Sequence, residues 1–295
     1  MCRVSFIHSD ARSASEVVHD GVMKFSDLTN LHEVSFAIET AQLVGTVLLD
    51  RPETLEISTK STKTDVVTHM DKLAERMIVQ RIEEFRPLDG ILAEEGASKE
   101  SRSGLQWVID PVDGTINYLY DLPFWCVSIA LIQLETNEPL VGVVFAPALG
   151  EMFVASAGMG AWRISNHDAK QIHTSDTVEL AQSLMGTGFG YAAKNRKLQA
   201  DVLTYVLPRV RDIRRMGSCA IDLCEVASGR LDGFYEKGVN HWDYAAGALI
   251  VREAGGFVSG IDGNAEGSEM LLACAPGIHQ EMLVLLETAT RELNQ

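Results

Sequence analysis

The sequence predicts an α+β or layered α/β fold in which sheets are covered by helices, and two observations carry this prediction. From residue 90 the chain contains short runs rich in Val, Ile and Phe, separated by Gly, Pro and Asn, as in the strands of a sheet. After residue 187, strand-like runs alternate with amphipathic helical segments. Strands followed by such an alternation are typical of layered folds.

Two amphipathic helices precede the strands. Apolar side chains recur at helical spacing over residues 31–48 and again over residues 71–85, where Pro87 ends the pattern. The segment between them, LEISTKSTKTDVVTHMD (residues 55–71), is polar and contains few apolar groups. It is therefore predicted to be a surface loop.

The remaining elements follow from the same patterns. Strands are predicted at GILAEE, LQWVID, CVSIALIQL, LVGVVFAPA, EMFVASAG and AWRIS. The second half is predicted as helix 195–207, strand DIRRM, helix 218–228, strand GFYEKG, helix 243–254, strands GGFVSG and LLACA, and a last helix from about residue 277.

The domain organisation predicted from these elements is simple. Residues 1–30 are weakly periodic and are interpreted as an N-terminal extension, with partial disorder as an open expectation. Residues 31–295 are predicted to form one domain, with an α+β half over residues 31–180 and an α/β half over residues 181–295.

Composition excludes several classes of partner. A formal charge of −16 leaves no basic surface for nucleic acid, and an anionic substrate would need metal ions or backbone dipoles to be attracted. The five cysteines are irregularly spaced, which is typical of a reducing compartment. No apolar segment approaches the length of a membrane span, so no membrane partner and a cytoplasmic location are expected.

Four carboxylates stand where predicted strands end or a helix begins. Asp110 and Asp113 lie in the turn DPVDGT, Glu94 ends ILAEEG, and Asp243 opens a helical run. Each has an ordinary alternative: a polar turn, a solvated strand end, or the N-cap of a helix. Carboxylates that converge at strand ends repel one another unless protons or cations neutralise them.

The chemistry of this set favours hard divalent cations. Carboxylates, a backbone carbonyl and a threonine hydroxyl, without His or Cys, are ligands typical of Mg²⁺ or Mn²⁺. Mg²⁺ commonly completes its coordination with water and substrate phosphate. Gly114 and Thr115, at the start of a predicted short helix, are candidates to contact that phosphate through backbone N–H groups.

Taken together, these motifs resemble the inositol monophosphatase family, and most closely its actinobacterial inositol-1-monophosphatases. The resemblance covers roughly residues 31–290 and is carried by KSTKTDVVTHMD, ILAEEG, WVIDPVDGTINY, GTGFGY, RRMGSCAIDLCEVASGRLDGFYEKG and GVNHWDYAAGALIVREAGG. It implies the five-layer αβαβα sandwich shared with fructose-1,6-bisphosphatases, and a homodimer.

The resemblance also implies residue roles. The metal ligands would be Glu94, Asp110, the Val112 carbonyl, the Thr115 hydroxyl region, Asp113 and Asp243, holding two Mg²⁺ ions and a third, weaker one at Glu94. Glu94, Thr115 and Asp71 would be catalytic, with Asp71 paired to Thr115. The substrate contacts would come from Lys60 in a mobile loop that also carries Asp65, from Gly114 and Thr115, and from Cys219 and Glu236 on the alcohol.

The implied activity is Mg²⁺-dependent hydrolysis of inositol monophosphate by a metal-activated water, with inhibition by Li⁺. Alternatives with the same chemistry are histidinol phosphate, fructose 1,6-bisphosphate, a nucleotide 3′-phosphate and NADP. A regulatory, partner-binding protein of the same fold is a further alternative. A P-loop kinase is excluded, because the sequence has no G-x-x-x-x-G-K-[ST] motif.

Overall fold

A computed structural model describes residues 24–60 and 66–293. Its first layer contains helices α2 (His32–Leu49) and α3 (His69–Phe85), which agree with the predicted helices to within two residues. Thr68 caps α3, since its side chain accepts a hydrogen bond from the Met70 N–H at 3.1 Å. A short helix, α1 (Phe25–Thr29), precedes α2.

The second layer is an eight-stranded sheet with the order β10-β9-β8-β7-β6-β5-β3-β4. Its strands are β3 (Gly90–Ala93), β4 (Ser98–Lys99), β5 (Leu105–Asp113), β6 (Cys126–Gln133), β7 (Glu138–Ala146), β8 (Glu151–Ser156), β9 (Ala161–Ser165) and β10 (Asp168–Ile172). Neighbours are antiparallel except β3 and β5, which are parallel. The central strands are buried on both faces and are therefore continuously apolar.

The remaining layers contain the second half of the chain. Helices α6 (Cys219–Ala227) and α7 (His241–Glu253) lie between the first sheet and a second one with the order β12-β11-β13-β15-β14. The second sheet consists of β11 (Leu184–Thr187), β12 (Asp212–Arg214), β13 (Gly233–Glu236), β14 (Phe257–Ser259) and β15 (Leu271–Cys274). Helices α5 (Ala193–Val206) and α8 (His279–Leu293) cover its outer face.

Three apolar cores lie between these layers. One joins α2 and α3 to the first sheet, the second places α6 and α7 between the sheets, and the third lies under α5 and α8. The order of layers is therefore αβαβα, which confirms the predicted fold class.

The structure corrects one element and adds another. Segment 55–71, predicted to be a loop, contains a two-stranded antiparallel ribbon, β1 (Ile57–Thr59) with β2 (Val66–Thr68), while Asp65 lies outside the described residues. Residues 25–29, assigned to the extension, form α1, whose Leu28 is buried. The domain boundaries, and any disorder before residue 24, stay predictions.

Within residues 24–60 and 66–293, no helix combines the length and the apolar character needed to cross a bilayer.

Candidate active site

All four predicted carboxylates line one cleft of about 1020 Å³, part of which is open solvent. Glu94 follows β3, Asp110 and Asp113 belong to the end of β5, and Asp243 lies in the first turn of α7. The first sheet and the middle helices thus bring together residues that are up to 149 positions apart in the chain (243 minus 94). The structure places together the residues that the motifs indicated.

A β-bulge explains how Asp110 and Asp113 reach the same cleft. In a regular strand, residues three positions apart point to opposite faces. Here Asp110 pairs with Ser128 and Asp113 pairs with Cys126, so β5 contains one more residue than β6 between the two pairs. The extra residue shifts the alternation, and both carboxylates line the cleft.

The turn after β5 positions Thr115, the first residue of helix α4 (Thr115–Leu119). Its hydroxyl lies 3.0 Å from Asp71 Oδ1 and 3.1 Å from the Val112 carbonyl oxygen, either of which can accept its proton. Asp71 also accepts a hydrogen bond from the Thr68 N–H at 3.0 Å. Asp71 is fully buried and is not among the residues that line the cleft, so it acts on the site through Thr115.

Burial and mutual repulsion dominate the electrostatics of the acidic cluster. Burial, followed by the charges of neighbouring carboxylates, raises the pKa of Asp110 and of Asp243 well above the ordinary range. Burial raises the pKa of Asp113 to about 6, although hydrogen bonds from Ser218 Oγ at 2.6 Å and the Ala220 N–H at 2.7 Å oppose the shift. A nearby cation would relieve this repulsion.

Lys60 is the cation that contacts this cluster. Its ammonium donates to Glu94 Oε1 at 2.8 Å and also to Glu95. Burial disfavours the charged ammonium, but the two carboxylates outweigh burial and raise the Lys60 pKa. Lys60 is not among the residues that line the cleft, and its predicted contact with substrate stays a prediction.

The donor set fits a hard divalent cation, although protein groups now hold several of its members. Within the described ranges, no three His, Cys, Asp or Glu side chains are arranged to ligate one ion as they stand. Lys60 holds Glu94, Ser218 holds Asp113, and the Asn240 N–H donates to Asp243 Oδ2 at 2.6 Å. Each of these contacts uses one of the two carboxylate oxygens, and the oxygen-only donors and their unrelieved repulsion match Mg²⁺ or Mn²⁺.

The same cleft is also lined by Glu236, at the end of β13, and by Cys219, the first residue of α6. Burial raises the Glu236 pKa to about 7, and the charge of Arg215 partly opposes this. The Glu236 carboxylate lies against Gly188, where a Cβ would come within 1.9 Å of Glu236 Oε2. Burial raises the pKa of the Cys219 thiol well above its usual value, so this side chain contributes shape rather than a thiolate.

The raised pKa of Glu236 predicts a pH-dependent stability. Glu236 keeps its proton on folding, so its contribution is fully present below its ordinary pKa of 4.5 and is lost as pH rises to about 7. We expect Glu236→Gln to match the parent Tm near pH 4.5 and to exceed it by roughly 2–6 °C near pH 8, without metal. Thermal unfolding in EDTA at both pH values measures this; a constant difference would contradict the assignment.

Sequence reasoning assigned no role to several residues that line this site, among them Gly188, Arg215, Ser218 and Asp222. Ser218 carried a signal, because a serine at the start of the predicted helix 218–228 is a typical N-cap; it caps α6 by accepting a hydrogen bond from the Ile221 N–H at 3.2 Å. Arg215 and Asp222 lie within a quoted motif, but no local pattern distinguishes them from surface charges.

Comparison with known proteins agrees with this geometry. The family model described as the inositol monophosphatase family matches residues 30–292. The chain is 40% identical over 237 residues to the inositol-1-monophosphatase SuhB of Mycobacterium tuberculosis, covering 78% of this chain and 81% of that protein. It is 39% identical over 257 residues to the Nus factor SuhB of Pasteurella multocida, covering 85% of this chain and 94% of that protein.

Solved structures show the same fold. The extragenic suppressor protein SuhB of Bartonella henselae superposes with a TM-score of 0.80 at 32% identity, covering 87% of this chain and 98% of that one. A Thermotoga maritima inositol monophosphatase superposes with a TM-score of 0.79 at 32% identity, covering 89% and 99%. On the fold, the acidic cleft and these similarities, the chain belongs to the inositol monophosphatase family.

Proposed function

We propose that this chain is a Mg²⁺-dependent phosphomonoesterase that hydrolyses inositol monophosphate to inositol and phosphate. The observation that carries the proposal is the convergence of Glu94, Asp110, Asp113 and Asp243 on one cleft that Glu236 also lines. The acidic wall suits metal ions and phosphate, whereas Glu236 suits the alcohol. Membership of the inositol monophosphatase family supports a phosphatase.

Glu94, Asp110, the Val112 carbonyl, Asp113 and Asp243 would hold two or three ions, with Mn²⁺ as a substitute. When bound, such ions supply a more acidic water and charge stabilisation for the phosphoryl group. Glu94 would both ligate an ion and orient this water. Li⁺ is expected to inhibit turnover by competing for one of these positions.

Thr115 and Asp71 would move the proton. Thr115 Oγ takes a proton from the attacking water and passes its own proton to Asp71 Oδ1, 3.0 Å away. Burial raises the pKa of Asp71, which suits a proton acceptor. Gly114 and Thr115 would contact the phosphate. The leaving oxygen would take a proton from a solvent water as the alcohol departs toward Glu236 and Cys219.

Glu236 favours a polyol as the leaving alcohol, since a carboxylate accepts hydrogen bonds from hydroxyl groups. Histidinol phosphate, fructose 1,6-bisphosphate, a nucleotide 3′-phosphate and NADP stay as alternatives for the same chemistry. A regulatory role is the second candidate function, because one relative is named Nus factor SuhB. The retention of all four carboxylates favours turnover, because a protein used only for partner binding does not need them.

Phosphate release with Mg²⁺ tests the proposal, using inositol 1-phosphate, histidinol phosphate, fructose 1,6-bisphosphate, adenosine 3′,5′-bisphosphate and NADP at matched concentrations. We expect inositol 1-phosphate to give the highest kcat/KM and EDTA to abolish the reaction. A strong preference for another ester would overturn the substrate. No release from any ester would favour the regulatory role. Homodimerisation and the cytoplasmic location stay predictions.

A further inference from the structure

Asp222, in the first turns of α6, has an unusual environment. It lines the active-site cleft and is only 1% exposed. Among the described residues, four buried side-chain nitrogen or oxygen atoms lack a hydrogen-bond partner, and Asp222 Oδ1 is the only carboxylate oxygen among them. A buried polar group without a hydrogen-bond partner destabilises the folded state. The residue therefore needs an explanation.

The helix itself does not supply one. An acidic residue near a helix N-terminus gains modestly from the helix dipole, but Ser218 already caps α6. The charges that face Asp222 are Glu236, Asp113 and Glu225, which repel it, and Arg215, which attracts it. Within the described ranges Arg215 forms no ion pair closer than 4.0 Å, so Asp222 lacks a fixed cationic partner. A donor to Asp222 Oδ1 would approach beside Gly186 of β11, where a Cβ would lie 3.3 Å from this oxygen.

We propose that Asp222 is a specificity-determining residue that accepts a hydrogen bond from a hydroxyl group of the leaving alcohol, beside the hydroxyl held by Glu236. The inference rests on the proposed function. Both carboxylates line the same cleft, and Glu236 is the strongest charged neighbour of Asp222. A pair of acceptors suits neighbouring hydroxyl groups, whereas a second phosphate at this end would be repelled by both.

The predicted consequence is a coupling between Asp222 and one hydroxyl of the substrate. We expect Asp222→Ala to lower the ratio of kcat/KM for inositol 1-phosphate to that for 4-nitrophenyl phosphate, which lacks hydroxyl groups, by about 10- to 100-fold, mainly through KM. With the parent enzyme, one deoxy-inositol phosphate should have a kcat/KM lower than that of inositol 1-phosphate by a similar factor. With Asp222→Ala, removing that hydroxyl group should lower kcat/KM little further. Asp222→Asn keeps a carbonyl acceptor and should restore part of the selectivity.

Kinetics on these three proteins, with Tm as a check of folding, decide the proposal. Equal loss on both phosphate esters, or additive effects for every deoxy analogue, would overturn it. Should Asp222→Ala not fold, Asp222→Leu, which keeps the side-chain volume and removes the acceptor, takes its place in the same comparison. If the parent prefers 4-nitrophenyl phosphate to inositol 1-phosphate, the proposed function fails instead, which is a distinct outcome.

Discussion

Replacing Asp110 with Asn is expected to lower phosphate release by about 10²–10³-fold, because it removes a fixed negative charge from the centre of the acidic cluster. Without metal, Asp110→Asn should unfold at a Tm at least as high as that of the metal-free parent. Asp110 is fully buried, faces Glu94, Asp113 and Asp243, and shares a hydrogen bond with Glu94. Removing its charge relieves repulsion without removing volume.

The measurement combines kcat/KM with Tm, each with and without Mg²⁺. The parent should gain Tm on adding Mg²⁺, and Asp110→Asn should gain less, since ligand binding stabilises the folded state. Asp168→Asn, an exposed aspartate in β10, is the control and should behave as the parent. Retention of most activity by Asp110→Asn would show that the acidic cluster is not the reaction centre.

Replacing Gly114 with Ala is expected to have the second largest effect, lowering both stability and activity. Gly114 has a φ of +91°, and a Cβ there would lie 2.7 Å from the Phe124 carbonyl oxygen and 3.2 Å from Trp125 Cα. Backbone atoms cannot move aside easily, so the turn that carries Thr115 must shift. The left-handed conformation costs about 1–2 kcal/mol for alanine, and the collision adds to this.

Gly104 provides a matched control. Its φ of +86° imposes the same conformational cost, but a Cβ there meets no atom within 4 Å. Gly104→Ala should therefore lose about 1–2 kcal/mol of stability and keep its activity below its Tm. Urea unfolding and phosphate release on both variants separate the two effects. Equal behaviour of the two variants would mean that the packing around Gly114 is not important.

The local pattern of apolar residues was sufficient to predict most of the helices and strands. Helices α2 and α3 and the buried strands were predictable because apolar periodicity reports which face of an element is buried. The ribbon at residues 57–59 and 66–68 was not predictable, since all three residues of β1 are exposed and show no alternation of apolar side chains. Helix α1, five residues long, is too short for a period to show.

The candidate site divides in the same way. Glu94, Asp110, Asp113 and Asp243 were predictable because short motifs at strand ends hold them. Their meeting in one cleft depends on the bulge in β5 and on the packing of α7, which join residues distant in the chain. The electrostatic environment of Asp222 depends on Glu236 and Arg215, which the local sequence around Asp222 does not reveal. The sequence by itself determined which oxygen donors are present; the tertiary structure decided which of them face one another, because electrostatic effects depend on distance and burial.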